Sequence, residues 1–307
     1  MYIFIVNPVA GNGRGHKVFQ QLQKLKLYSN LKKQEFITEY EGHAEKIAQE
    51  ITEKYEKIKT IVVIGGDGTL HEVVNGLSNH NIPISFIPAG SENDFYRGAK
   101  LPNKPTDILK NIGNSREKLY WYGKCDTKER NFSFVNCVGV GFDAVVANRA
   151  NRSILKKILN KIGIGKLVYV FALIYELKRY RPLSVTVNID GKSRTFENCF
   201  LLTVNNQPFL GGGMKINPFA KNNRHHLSLL VVDHISKWKV LFLFMTVFFG
   251  KHIHFKEVNV FHGQNILIEL NAQALFQIDG EIVNIKTCTM KKQPFPLTVK
   301  GYSSVNE

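Results

Sequence analysis

Short apolar runs and helical spacings alternate through the first third of the chain. Residues 3–6 (Ile-Phe-Ile-Val) read as a buried strand, and 17–27 carry apolar residues at the spacing of an amphipathic helix. Residues 35–38 predict a short strand and 43–54 a helix. The unbroken apolar run 60–64 predicts another buried strand, followed by a helix whose apolar face is Leu70, Val73, Val74 and Leu77; 84–87 is a further apolar run. Strands that are apolar on both faces, separated by helices, predict a parallel sheet covered on both sides.

Beyond residue 118 the pattern shifts to β-rich segments with turn residues between them: 132–140, 183–189, 194–204, 227–232, 265–270 and 282–289. Asp190-Gly191 separates two of them as a hairpin signal. Helical spacing returns at 154–179 and 237–249. The expected architecture is an α/β nucleotide-binding domain over 1–118, followed over 119–289 by a mostly antiparallel, sandwich-like β domain with helical insertions. Residues 290–307 are expected to form a tail that packs back on the first domain.

Composition narrows the class. Of 307 residues 44% are hydrophobic and 21% charged, an ordinary globular mixture. The opening Met1-Tyr-Ile-Phe-Ile-Val6 lacks a basic leader and reads as a first strand rather than a signal peptide. The longest apolar run, 240–249, is about half a membrane span and reads as a buried helix. Cys125, Cys137, Cys199 and Cys288 lie far apart without CxxC spacing, as reduced core residues of a cytoplasmic protein would. With 41 Lys+Arg against 25 Asp+Glu, the net charge of +16 attracts anions: nucleotides, nucleic acid or acidic lipid. No nucleic-acid motif or aromatic–basic platform accompanies that charge, so nucleic acid is not an expected partner.

Three loops after apolar runs carry the candidate chemistry. They are Asn7-Pro8-Val9-Ala10-Gly11, Gly65-Gly66-Asp67-Gly68-Thr69, and Pro88-Ala89-Gly90-Ser91-Glu92-Asn93-Asp94. In a parallel sheet such loops gather at the carboxyl edge, where open α/β folds bind ligands. Glycine lets backbone approach a phosphate, and the helix that follows supplies N–H donors. None of the three fits the dinucleotide or Walker pattern. A single loop of this kind reads as a tight turn; three in series, one with a carboxylate between glycines, read as phosphate binding.

The second loop, with Glu72, resembles the GGDGT signature of the diacylglycerol kinase catalytic domain family, related to sphingosine and ceramide kinases. Supporting motifs follow in family order: Asn7-Pro8-x-x-Gly11; Thr38 then Gly42-His43-Ala44; Pro88-x-Gly90-Ser91-x-Asn93-Asp94-Phe95; Gly139-x-Gly141-Phe142-Asp143-Ala144; Gly211-Gly212-Gly213 with Pro218-x-Ala220; Gly250-Lys251-His252; and Asp279-Gly280-Glu281. The resemblance spans nearly the whole chain. It implies a first domain similar to those of NAD kinase and phosphofructokinase and a β-sandwich-like second domain, with ATP and Mg2+ as cosubstrate and cofactor. By that resemblance Asn7, Pro8, Val9, Ala10, Gly11, Thr38, Gly65, Gly66, Asp67, Gly68, Thr69, Leu70, His71 and Ser91 contact ATP. Asp67 and Asp94 organise the metal, and Glu281 with Asp279 forms the catalytic carboxylate pair. On a continuous strand residues two apart share a face about 7 Å apart, which would put both carboxylates in one site.

Two positions depart from the family. Where it carries carboxylates after Pro-x-Ala for a structural magnesium, this chain has Arg224 and Ser228, so that site is expected to be absent. Where it carries an acidic residue at the start of the second domain, this chain has Trp121, with Asp126 as the nearest substitute.

The expected reaction is transfer of the γ-phosphoryl group of ATP to a lipid hydroxyl, with a diacylglycerol-like acceptor favoured. Residues 149–181 interleave basic and apolar positions as a peripheral, anionic inner membrane surface would require. A core helix with a solvated basic side has the same pattern. The alternatives are a catalytically impaired nucleotide-binding homologue with a regulatory role and an NAD-kinase-like enzyme; the sequence leaves the oligomeric state open.

Overall fold

The computed structural model describes residues 1–77, 81–102, 104–113, 117–152 and 167–302. It divides into two compact units: 1–121 together with 294–307, and 122–293.

The first unit is built on a six-stranded sheet. Its strands are β1 (Tyr2–Val6), β2 (Lys33–Ile37), β3 (Thr60–Gly65), β4 (Ile84–Pro88), β5 (Lys118–Tyr120) and, from the far end of the chain, Leu297–Lys300. The order is β2-β1-β3-β4, then Leu297–Lys300, then β5, with every pair parallel except the last. All residues of β1, β3 and β4 are buried, which is why their sequences show no polar alternation. Tyr2, Phe4, Val6, Val62 and Ile64 pack with α1 (Ala10–Gln23), α2 (Lys26–Ser29) and α6 (Pro105–Asn111). The intervening Ile3, Ile5, Ile61 and Val63 are equally buried and by the pleat face the other side. There α3 (His43–Lys54) packs on α4 (Asp67–Gly76), and α4 on β3. The short α5 (Asp94–Gly98) follows β4.

The second unit is an antiparallel sheet of nine strands. These are β6 (Gly123–Asp126), β7 (Asn131–Phe134), β8 (Cys137–Gly141), β9 (Leu183–Ile189), β10 (Lys192–Asn205), β11 (Leu227–Asp233), β12 (Val258–Gly263), β13 (Asn265–Ile278) and β14 (Glu281–Lys292); the Leu297–Lys300 strand is then β15. β10 and β13, 14 residues each, pair with β9 along their first halves and with β8 along their second. Register shifts at 196–201 in β10 and 269–274 in β13 bend both strands, so the sheet folds over its own core. That core includes Phe132, Phe134, Val185, Leu202, Leu229, Ile268 and Phe276. A second cluster forms under α7 (Phe142–Arg152), α8 (Leu167–Arg179) and α9 (Lys237–Val247).

Sequence and structure part at several places: the run 17–27 is divided between α1 and α2, and 132–140 between β7 and β8. The helical segment starts at Ala10, ahead of residue 17, but Gly11, Asn12 and Gly13 take left-handed backbone and kink it, so the regular helix starts only after Gly13. β13 runs to Ile278, well past residue 270, because its bulge leaves Asn271, Ala272 and Gln273 exposed in a row and interrupts the alternation. The apolar run read as a buried helix is buried on one side only: Val240, Leu243 and Val247 lie in the core, while Trp238, Phe242, Met245 and Phe249 are exposed. All four cysteines are buried free thiols, and no helix among the described residues is long and apolar enough to cross a membrane. Residues 153–166 of the basic 149–181 segment lie outside the described residues.

Candidate active site

β1, β3 and β4 are neighbours in the first sheet, so the loops leaving their carboxyl ends lie side by side. Backbone bonds tie them together: Asn7 N–H donates to Ile64 O at 2.9 Å, and Ala89 and Gly90 N–H both donate to Gly65 O at 2.7 and 3.1 Å. The Asn7 side chain knits two loops, its amide donating to Thr69 Oγ1 at 3.0 Å while its oxygen accepts from Val9 and Ala10 N–H at 3.2 and 3.1 Å. Two glycines are dictated by contact. A Cβ on Gly90 would lie 2.5 Å from Gly66 Cα, and one on Gly11, at φ +55°, would lie 2.2 Å from Ala89 O. The loops touch backbone to backbone, which side chains there would prevent.

Between them lies a cleft of about 330 Å³, lined by Asn7, Val9, Ala10, Gly11, Thr38, Gly66, Gly68 and Thr69 from the expected set, and by Glu39, Tyr40, Glu41, Glu72 and Gly90 besides. Pro8, Gly65, Asp67, Leu70, His71 and Ser91 are not on its lining. Leu70 and His71 are buried, with Asn75 Nδ2 donating to His71 O at 2.9 Å. Glu72 accepts from Ala44 N–H at 3.0 Å in the first turn of α3, and burial raises its pKa. Tyr40 is half exposed and stacks on His43 at 4.5 Å. It carries no motif, and only the path of the loop after β2 brings it to the cleft. Among the described residues the lining holds three carboxylates and no Lys or Arg.

Asp67 begins α4 and reaches across to α5. Its two oxygens accept from Asp94 N–H at 2.8 Å and Phe95 N–H at 2.9 Å, so it caps the helix that carries Asp94. Desolvation, then the charge of Asp94, push its carboxyl up to about 7 despite those two bonds. Asp94 is buried and lies 3.3 Å from Arg97 Nη1. Asn93 holds the loop between, accepting from Gly90 N–H at 3.0 Å and donating to Gly90 O at 2.9 Å.

The Asp279-Gly280-Glu281 motif belongs to the second unit, and here the strand geometry expected from sequence is corrected. Asp279 (φ +50°) and Gly280 (φ +95°) are the two turn residues between β13 and β14, with Ile278 paired to Glu281 across it. Asp279 therefore does not lie along a strand with Glu281. Its buried carboxylate accepts three backbone N–H groups, from Val135 at 2.6 Å, Asn136 at 2.8 Å and Cys137 at 2.9 Å. Gly280 N–H donates to Gln277 Oε1 at 2.9 Å, and Gln277 Nε2 lies 3.4 Å from Asp143 Oδ2. The Asp143 carboxyl is pushed up to about 7 by burial, and its Oδ1 has no hydrogen-bond partner among the described residues. Asp190-Gly191 makes the same left-handed turn (φ +49° and +87°) but points its carboxylate at the N–H groups of Gln264 and Asn265.

The departures are also accounted for locally. Ser228 is buried in β11 and hydrogen-bonded to Asn217 at 3.0 Å; Arg224, His225 and His226 are exposed. Asp126, the nearest substitute for a carboxylate at Trp121, is instead paired with Lys124 at 2.8 Å and Lys291 at 3.9 Å. Among the described residues no group of three or more His, Cys, Asp and Glu could hold a metal alone.

Two family models match the chain. The diacylglycerol kinase catalytic domain model matches residues 1–125, and the YegS C-terminal NAD kinase beta sandwich-like domain model matches 136–301. The chain belongs to this kinase family. A Bacillus subtilis relative named "Putative lipid kinase YtlR" is 32% identical over 97% of this chain and 99% of its own length. A Mycobacterium tuberculosis relative named diacylglycerol kinase is 30% identical over 68% of this chain and 66% of its own. In fold, the chain matches a structure titled "A putative diacylglycerol kinase from Bacillus anthracis str. Sterne" with a TM-score of 0.75, at 22% identity, over 98% of this chain and 97% of that one.

Proposed function

We propose that this kinase transfers the γ-phosphoryl group of ATP to the hydroxyl of a lipid, with diacylglycerol-like alcohols as the leading acceptors. The observation that carries the reading is the junction of three glycine loops at adjacent strand ends, with Asp67 capping the helix of Asp94 beside them. The names of the two relatives support lipid as the acceptor class.

No Lys or Arg is among the described residues that line the cleft, which favours backbone N–H groups and a metal as the partners of a triphosphate bound there. Asp67 and Asp94 fit Mg2+: they are hard oxygen donors, and burial, then the charge of Asp94, raises the Asp67 carboxyl, a burden that a bound cation would relieve. Two carboxylates would be enough to hold it, since Mg2+ is commonly bound by one or two protein carboxylates. When bound, it neutralises charge on the transferring phosphate. In the transfer itself the lipid oxygen forms the new bond to phosphorus, the bond to the bridging oxygen of ADP breaks, and the hydroxyl proton passes to Glu281 as general base. Asp279 acts by position: with its lone pairs engaged by residues 135–137, it fixes the turn from which Glu281 starts β14.

Labelled ATP offered with a panel of lipid alcohols tests the reading, diacylglycerol being expected as the best acceptor. Glu281→Gln keeps the shape but cannot take the proton, and should lower turnover by about 10²- to 10⁴-fold with ATP affinity unchanged. Asp190→Asn, in the matching turn, should leave turnover intact. If ATP binds and no lipid alcohol is phosphorylated, the chain is a nucleotide-binding homologue without turnover, as Arg224 and Ser228 in place of carboxylates would suggest. If Glu281→Gln turns over like the wild type, the base lies elsewhere.

A further inference from the structure

Helix α9 is apolar nearly all round: Lys237-Trp-Lys-Val-Leu-Phe-Leu-Phe-Met-Thr-Val247. Such a helix belongs inside a protein or in lipid. In this fold it is only half inside. Val240, Leu243 and Val247 fill the core beside α7 and α8. The opposite stripe, at helical spacing, stands in solvent: Trp238 is 78% exposed, Phe242 69%, Met245 67% and, just past the helix end, Phe249 75%, with Leu241 and Phe248 exposed beside them. Isolated exposed apolar residues are ordinary; six within twelve positions on one face mark an interaction surface.

The charges around the stripe identify what covers it. From Lys237 to Lys256 the chain holds four lysines and no acidic residue. Lys237 Nζ donates to Lys178 O at 2.7 Å, which brings the start of α9 against the end of α8, where Lys178, Arg179 and Arg181 are exposed. Of the nearby carboxylates, Glu257 is already paired with Lys239 at 2.6 Å and Asp233 with His234 at 2.7 Å. Trp238 sits between two lysines at the edge of the stripe, an indole with a polar handle where apolar surface gives way to charge. At about 1.5 Å per residue the helix is only about 16 Å long, half the thickness of a bilayer core, so it can lie in a membrane surface but not cross it.

We propose that the exposed face of α9 is the surface by which this protein enters an anionic lipid bilayer: Trp238, Phe242, Met245 and Phe249 insert among the acyl chains, and the lysines and arginines beside them meet acidic headgroups. The lipid-kinase reading supplies the reason for choosing a bilayer over a protein as the occupant. The surface itself rests on its own geometry, and its test uses no nucleotide and no turnover.

The protein is mixed with phosphatidylglycerol vesicles and with phosphatidylcholine vesicles, and bound protein is measured by sedimentation. Binding should favour phosphatidylglycerol and weaken as salt rises. The double variant Phe242→Ser/Phe249→Ser should bind roughly tenfold or more weakly. A second measurement leaves the stripe untouched. In Trp121→Phe, Trp238 is the remaining tryptophan; its emission should shift to the blue on vesicles and be quenched by lipids brominated near the headgroup end of the chain. Absence of binding to phosphatidylglycerol, or binding with no change at Trp238, would overturn the proposal. So would a dimer in vesicle-free solution that the double variant splits, since the face would then cover a second copy. Should phosphotransfer fail while vesicle binding behaves as stated, the surface stands and the acceptor assignment alone falls.

Discussion

Asp67 serves two ends with opposite demands on its proton. As a cap for α5 it is held by two backbone N–H groups, which favour the carboxylate; desolvation and the neighbouring Asp94 favour the acid and prevail, leaving it near 7. The folded state thus holds a proton that the unfolded chain, with an ordinary carboxyl, has released. Stability contributed by this group is present at low pH and lost as pH rises from about 4 through about 7. Without nucleotide, the melting temperature should fall over that window more steeply in the wild type than in Asp67→Asn, and a differential scanning series at several pH values reads the difference in slope. If Asp67 helps to hold Mg2+ as proposed, the same substitution should also reduce turnover at least about 100-fold. A wild-type profile as flat as the variant's would mean that Asp67 is ionised throughout.

At the scale of elements, the glycine loops separate two reasons for having no side chain. Gly90 is excluded from carrying one by Gly66 Cα at 2.5 Å, whereas a Cβ on Gly68 meets nothing within 4 Å and projects where the cleft is lined. Gly90→Ala should therefore cost about 1–3 kcal/mol of stability and disturb nucleotide binding through the loop. Gly68→Ala should leave stability unchanged or raise it by up to about 1 kcal/mol, since it replaces glycine in the first turn of α4. Urea unfolding and titration with ATP, run on both variants, check the pair. A loss of ATP affinity in stable Gly68→Ala would place the phosphates at that backbone, and unchanged affinity would place them elsewhere. The turn motifs carry the same lesson: Asp190-Gly191 and Asp279-Gly280 share sequence and backbone, and they differ in which N–H groups lie within reach of the aspartate.

For the whole molecule, the notable feature is that the chain returns to the sheet in which it began. β15 pairs in parallel with β4 and antiparallel with β5, with Leu297 and Val299 buried. Ending the chain after Gln293 would uncover the edge of β4, whose five residues are all buried, and would leave three-residue β5 without its partner. We expect that truncation to unfold or aggregate the first unit while the second keeps its sheet. Limited proteolysis followed by mass mapping checks this: protection of 122–293 with digestion of 1–121 is the expected result, and equal protection of both would show that β15 is dispensable.

Local pattern determined much of this protein. Largely apolar runs at 3–6, 60–64 and 84–87 announced strands buried on both faces, and the ordered motifs from Asn7 to Glu281 carried the family, because both signals lie in consecutive residues. Other features depend on contacts between distant residues and were decided only by folding. Asp279 was legible as part of a motif, but its hold on the N–H groups of 135–137 needed the turn between β13 and β14 to meet a loop some 140 positions earlier in the chain. Tyr40 and Glu41 reached the cleft through the loop after β2, with no residue pattern of their own to mark them. The apolar run of α9 pointed to burial on every side; the fold had core enough for one stripe and left the other in solvent. Hydropathy gives each residue's preference for leaving water, and only the packed molecule decides which of those preferences are met.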